Sequence, residues 1–233
     1  MTLLGVLLRK ELHAAFTSPV AYAIGAVFLL VMGYTFSLTL FFTKVANLTY
    51  IFHQMYVLLV LLTPVLTMRA FAEERRTDTL ELLLTAPVPE IAIVGAKFLA
   101  SLALITAMLA ASIAYPVVLW LYGHPDWAPI YGGYLALVLL SCLLVSVGML
   151  TSSLTENQVV AAATSLGIFL MLWFADSAAY LAPAPLDTLF INLSLIGHFT
   201  TFVRGSLFLS DAGYYVTLSL FSLFVTTRAL ADR

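Results

Sequence analysis

The sequence predicts an all-α integral membrane protein with six transmembrane helices, and three observations carry that prediction. Of 233 residues, 62% are hydrophobic and only 9% are charged, where a soluble domain carries about 25% charged residues. Mean hydropathy is +1.05. Between the charges run apolar stretches near the ~20 residues that a helix needs to cross a ~30 Å hydrocarbon core. These stretches are continuously apolar, unlike the alternating strands of an outer-membrane barrel, which are about ten residues long.

Residues 1–18 place Arg9, Lys10 and Glu11 in the middle of an amphipathic stretch. The charges interrupt any signal-like apolar region and no small-residue cleavage site follows, so the segment predicts an N-terminal amphipathic helix lying at the interface. Spans are predicted at 20–42, 51–71, 98–122, 130–150, 159–181 and 211–228, in a single transmembrane domain covering 1–233. The second carries His53 and Gln54 near its start, and the sixth is short unless it begins near Asp211. Leu189 to Val203, behind Pro183 and Pro185, has only Asn192 and His198 as strongly polar residues. That segment is short for a crossing and predicts a re-entrant or lateral element in the outer leaflet.

Orientation follows from the Lys and Arg residues in the flanks. With a cytoplasmic N-terminus, eight of them fall inside (Arg9, Lys10, Arg69, Arg75, Arg76, Lys97, Arg228, Arg233) and two outside (Lys44, Arg204). Both termini are therefore expected in the cytoplasm. A seventh span at Leu189 to Val203 would put Arg228 outside, against the same rule.

Several function classes lose their support. The net charge is −2, without the basic run that would neutralise phosphates, so nucleic acid is not an expected partner. The lone Cys142 excludes an intrachain disulfide, and no Gly-x-x-x-x-Gly-Lys-Ser/Thr loop is present to cradle a nucleotide. His13, His53, His124 and His198 are scattered over both sides, as interface histidines rather than metal ligands. Asp176 is the one charge expected within a span, and its position near the outer headgroups suits an interfacial carboxylate better than a proton relay. No catalytic, cofactor or metal residues are predicted.

The densest charge lies after the second span, where Glu73, Glu74, Arg75, Arg76, Asp78 and Glu81 occupy nine positions ahead of Pro87 and Pro89. On a helix Glu74, Asp78 and Glu81 share one face while Leu80, Leu83 and Leu84 lie opposite. Alternatively, Asp78 caps a new helix with Glu81 three residues later. The first arrangement rests leucines on the membrane domain and turns acids to the cytoplasm, as a docking element would, and in either one Pro87 and Pro89 end the helix. In the next cytoplasmic turn, Thr155 with Gln158 matches a capping box opening the fifth span.

Taken together these stretches resemble the ABC-2 type permeases, the membrane subunits of a class of ABC transporters, and most closely their gliding-motility (GldF-like) branch. The resemblance runs through Lys10-Glu11-Leu12 with Phe16 to Tyr22, Glu73 to Val88, Ser152 to Gln158, and His198-Phe199 with Phe202 to Gly205 before Asp211. Asp78 departs from it, since the family usually has glycine there. The resemblance implies a second permease chain (a second copy or a paralogue), an ATP-binding cassette subunit that holds ATP and Mg, and a bilayer setting in the inner membrane. It also implies a coupling helix in the loop 73–89, with Glu73, Glu74, Arg75, Arg76, Asp78 and Glu81 facing the ATPase and Leu80, Leu83 and Leu84 as anchors. The expected function is ATP-driven export, with hydrolysis on the partner rather than on this chain. The alternative is a membrane anchor in a gliding-motility-like machine that moves no solute, with an auxiliary membrane protein as a further partner.

Overall fold

The computed structural model describes residues 3–43, 45, 47–77 and 88–231, and all regular structure among them is helical. The expected docking helix over 78–87, with Asp78, Leu80, Glu81, Leu83 and Leu84, lies outside the described residues. Helix α1 (Leu3–Thr17) ends at Ser18, whose carbonyl accepts from Ala21 and Tyr22 and so starts α2 (Pro19–Thr43). Pro19 opens α2 at the one position where a missing N–H costs nothing. Then follow α3 (Thr49–Thr67) and the five-residue α4 (Ala72–Arg76). The second half comprises α5 (Glu90–Ala111), α6 (Ala114–Tyr122), α7 (Trp127–Leu154), α8 (Gln158–Ala179), α9 (Leu186–Leu193), α10 (Leu195–Val203) and α11 (Leu209–Ala231).

Six segments among the described residues are long and apolar enough to cross a membrane, as the composition predicts. The third of them departs from expectation. It begins at Glu90, not Phe98, and breaks at Ser112 and Ile113 between α5 and α6. Pro116 explains the break: it has no N–H to offer the Ser112 carbonyl, which instead accepts from Tyr115 at 3.0 Å. The fifth span also starts differently from the predicted Thr155–Gln158 box. Asn157 is the cap, its Oδ1 accepting from Val159 at 2.9 Å and Val160 at 3.4 Å, while Thr155 Oγ1 accepts only from the Asn157 N–H. Asn is at least as good a cap as Thr, and it stands next to the helix that it closes. The sixth span gains length by starting at Leu209.

Helix α7 is the axis of the bundle. Leu137, Leu140, Leu144, Val145 and Met149 are fully buried, and α3, α5, α8, α10 and α11 pack around it. Its partner α3 runs parallel to it in constant register. A Cβ on Gly133 would fall 2.5 Å from the Phe52 ring, and one on Gly148 would fall 2.2 Å from Thr67 Oγ1. A third pair, Phe71 with Ser152, keeps the same offset of 81 residues. Glycine at 133 and 148 is thus what lets the two backbones approach.

Before the last span, α9 and α10 meet at a 59° bend. Ser194 makes the joint, since its Oγ caps α10 by accepting from Gly197 at 3.0 Å. Gly205, at φ +84°, ends α10 in a Schellman turn: Gly205 N–H donates to Phe202 and Ser206 N–H to Thr201. Both ends of this bent pair stay at one end of the bundle. Gly197 faces Asp176 in the last turn of α8, and Phe202 with Gly205 abuts Gly132 and Ala128 in the first turns of α7. With helices of eight and nine residues, the pair begins and ends at the same end of the bundle, an arrangement open to a re-entrant or a lateral element alike.

Candidate functional site

Two polar clusters lie at opposite ends of the bundle. The first is at the end rich in Lys and Arg, where α1, α4 and the first turns of α5 meet the last turn of α7. Lys97 lies two turns into α5 and is only 6% exposed. Its Nζ is 2.7 Å from Glu74 Oε1 of α4 and 3.5 Å from Glu11 Oε2 of α1, and 5.4 Å from the centroid of the buried Phe71 ring. An ammonium in a low-dielectric setting persists only when paired, and here carboxylates from two separate elements pair it. One lysine thereby ties α1, α4 and α5 together.

Ser152, near the end of α7, fastens the start of α4. Its Oγ accepts from the Phe71 N–H at 3.1 Å and the Ala72 N–H at 3.0 Å, and donates to the Met68 carbonyl at 2.9 Å. That uses the full capacity of a hydroxyl, one donor and two acceptors, and satisfies two N–H groups that a helix start leaves open. Arg75 adds a bond from Nη1 to the Ser153 carbonyl at 3.2 Å, with Nε 3.4 Å from Glu156. The two turns singled out in the sequence, Glu73 to Arg76 and Ser152 to Gln158, are therefore in direct contact.

The described residues of the predicted docking turn divide by direction. Glu74 and Arg75 turn inward, onto Lys97 and onto Ser153 with Glu156. Glu73 remains half-exposed, 3.8 Å from an equally exposed Arg69, and Arg76 is exposed. Sequence reasoning missed Glu11, Lys97 and Ser152 as members of this cluster. Lys97 had a signal of its own, a lone charge within a helical face otherwise made of Ile93, Val94, Ala96 and Ala100, all buried.

The second cluster closes the opposite end. Asp211, 7% exposed in the first turn of α11, accepts from His198 Nδ1 at 2.8 Å and from the Thr201 hydroxyl. His198 stacks on Tyr214 at 4.3 Å, with Nε2 3.3 Å from the Asn192 carbonyl. Tyr214 donates to the Leu193 carbonyl at 2.7 Å and Tyr215 to the Leu195 carbonyl at 2.9 Å. These two bonds satisfy carbonyls on either side of the Ser194 bend. His198 is thus a structural partner of α11, and Asp211 is a buried charge in the first turn of the last span. Asp176 stays partly buried at the end of α8, without an ion pair or hydrogen bond among the described residues. Also among the described residues, no group of three or more His, Cys, Asp or Glu side chains could hold a metal ion.

A protein-family model described as ABC-2 family transporter protein matches residues 37–204, more than two thirds of the chain. The match takes in α4, α7 and the bent pair and leaves α1 and α11 outside it. No curated protein matches the chain.

Proposed function

The chain belongs to the ABC-2 family of transporter proteins, and on that premise we propose that it is the permease subunit of an ATP-driven exporter, coupled through the loop 73–89 to a separate ATP-binding subunit. The observation that carries this reading is the fastening of α4. A segment that holds partner-directed charge is bonded by its backbone to α7 and by Glu74 to α5, so a displacement of the loop is handed to two spans at once. A loosely attached charged turn would dissipate the same displacement. ATP and Mg belong to the partner subunit in this reading, and a second permease chain completes the pathway.

The Lys and Arg distribution supports placing the α4 end, and with it both termini, on the cytoplasmic side of the inner membrane. The gliding-motility (GldF-like) branch is the one that the four stretches, taken together, resemble most, the Glu73 to Val88 stretch being the most specific of them. Charge pairs at a docking surface mainly set partner choice and register, and among the described residues of the loop Glu73 and Arg76 are exposed enough to do so.

Joint reversal, Glu73→Lys with Arg76→Glu, is expected to abolish co-purification of the ATP-binding subunit. Membrane insertion and thermal stability should stay within about 0.5 kcal/mol of the parent, as for exposed positions. Undiminished association would overturn the coupling assignment. Association with ATP turnover that no solute alters would favour the anchoring role instead.

A further inference from the structure

We propose that a cleft at the basic end binds a single phospholipid with an ethanolamine headgroup, taken from the surrounding leaflet. The cleft, about 330 Å³, opens between α1, α2, α3, α4 and α5. Its lining combines charged side chains (Glu11, Arg69, Glu73, Glu74, Lys97), two serines (Ser18, Ser101) and alanine, valine and leucine, and along α5 these follow in order: Lys97, then Ser101 one turn on, then Leu104 two turns on. Leu104 lies seven residues past Lys97 on the same helix, hence about 10 Å further into the bundle at 1.5 Å per residue. Charge, then hydroxyl, then hydrocarbon is the order met along a phospholipid from headgroup to glycerol esters to acyl chain.

Two observations narrow the ligand. The hydroxyls of Ser18 and Ser101 make no hydrogen bond among the described residues, whereas most serines of the bundle bond back to their own helix. They are donors at the depth of ester carbonyls. Among the charges of the lining, buried Lys97 is already committed to Glu74 and Glu11, while Arg69 and Glu73 hold each other only at 3.8 Å and half-exposed. A loose pair of opposite charges suits a zwitterion, with phosphate on the Arg69 guanidinium and ammonium on the Glu73 carboxylate. A choline headgroup has no N–H for the carboxylate, and a glycerol headgroup offers Glu73 only neutral hydroxyls where ethanolamine offers an ammonium. The apolar part of the lining requires a lipid rather than a free phosphoethanolamine. This inference rests on the membrane architecture; it shares Glu73 with the proposed docking surface, but lipid retention is read on the chain alone, without an ATP-binding subunit, so either can fail alone.

The test is native mass spectrometry of the purified full chain in detergent, equilibrated with equal amounts of phosphatidylethanolamine, phosphatidylcholine and phosphatidylglycerol of identical acyl chains. One phosphatidylethanolamine should be retained with about tenfold preference, the scale of one charge-assisted hydrogen bond. Ser101→Leu, which fills the cleft, should remove that adduct. Arg69→Gln with Glu73→Gln, at half-exposed positions that folding tolerates, should remove the preference, and water-soluble glycerophosphoethanolamine should not compete. Equal retention of the three lipids, a preference for phosphatidylglycerol, displacement by the soluble headgroup, or a preference unchanged in Arg69→Gln/Glu73→Gln would each overturn the proposal.

Discussion

The two ends of the bundle are held by different chemistry. At the basic end the ties run between elements far apart in the chain: Lys97 reaches Glu74 and Glu11, and Arg75 reaches Glu156. At the opposite end they join neighbours, with His198, Thr201 and Asp211 inside one stretch and Tyr214 and Tyr215 bonding to carbonyls about the Ser194 bend. Ion pairs between separate elements can be exchanged for other partners, and several of those at the basic end are partly exposed. A buried carboxylate enclosed by an imidazole and a hydroxyl, roofed by aromatic rings, has nothing else to turn to. The difference marks the basic end as the adjustable one and the opposite end as a fixed cap.

Lys97→Met gives the largest expected effect. It keeps the volume of the side chain and removes the buried cation that Glu74 and Glu11 share, Lys10 at 3.7 Å from Glu11 being a looser, exposed pair, which should cost about 3–5 kcal/mol, the scale for breaking one side of a buried pair. Denaturant unfolding in detergent measures the loss, and adding Glu74→Gln should recover part of it; a Lys97→Met protein as stable as the parent would remove the distinction between the two ends. Next comes Ser152→Ala, which strips two N–H groups and a carbonyl of their partner and should cost about 2–3 kcal/mol. Hydrogen exchange at Phe71 and Ala72 should rise strongly while the α9–α10 amides stay protected. The smallest of the three sharpens the view of the cap. In Gly132→Ala the new Cβ would fall 2.1 Å from the Phe202 carbonyl oxygen, so the hairpin must shift, at about 1–2 kcal/mol for overpacking. Faster proteolysis between Ala182 and Pro185, with unchanged exchange at the basic end, is the expected readout.

Much of the fold is legible in the sequence, because crossing a membrane demands long apolar runs and those survive any tertiary arrangement. The bent pair is legible for the related reason that Leu189 to Val203 is too short to cross. Reading runs between charges fails where a charge belongs to a span. Lys97 and Asp211 stand at the borders of the predicted apolar segments, yet both are buried within helices that extend past them. The break at Ser112 was signalled by Pro116 but passes unseen in a hydropathy run, since proline disturbs the carbonyl four residues earlier and not the apolarity. For the candidate site, the turn at Glu73 to Arg76 and that at Ser152 to Gln158 stand out separately as departures from hydrophobicity. Their contact does not, because it depends on the register of α3 against α7, which glycines at 133 and 148 set and no local periodicity expresses.

That register also has a mechanical meaning. Two parallel helices pinned to each other at Phe52, Thr67 and Phe71 cannot slide past one another; they can only tilt together, as a stiff rod. One end of the rod carries α4. The other bears on the bent pair, through His53 and Tyr56 against Phe199 on α3 and through Gly132 against Phe202 on α7. A small rocking at the basic end would therefore arrive at the far hairpin undiminished, with no slack in between, across the whole thickness of the bundle.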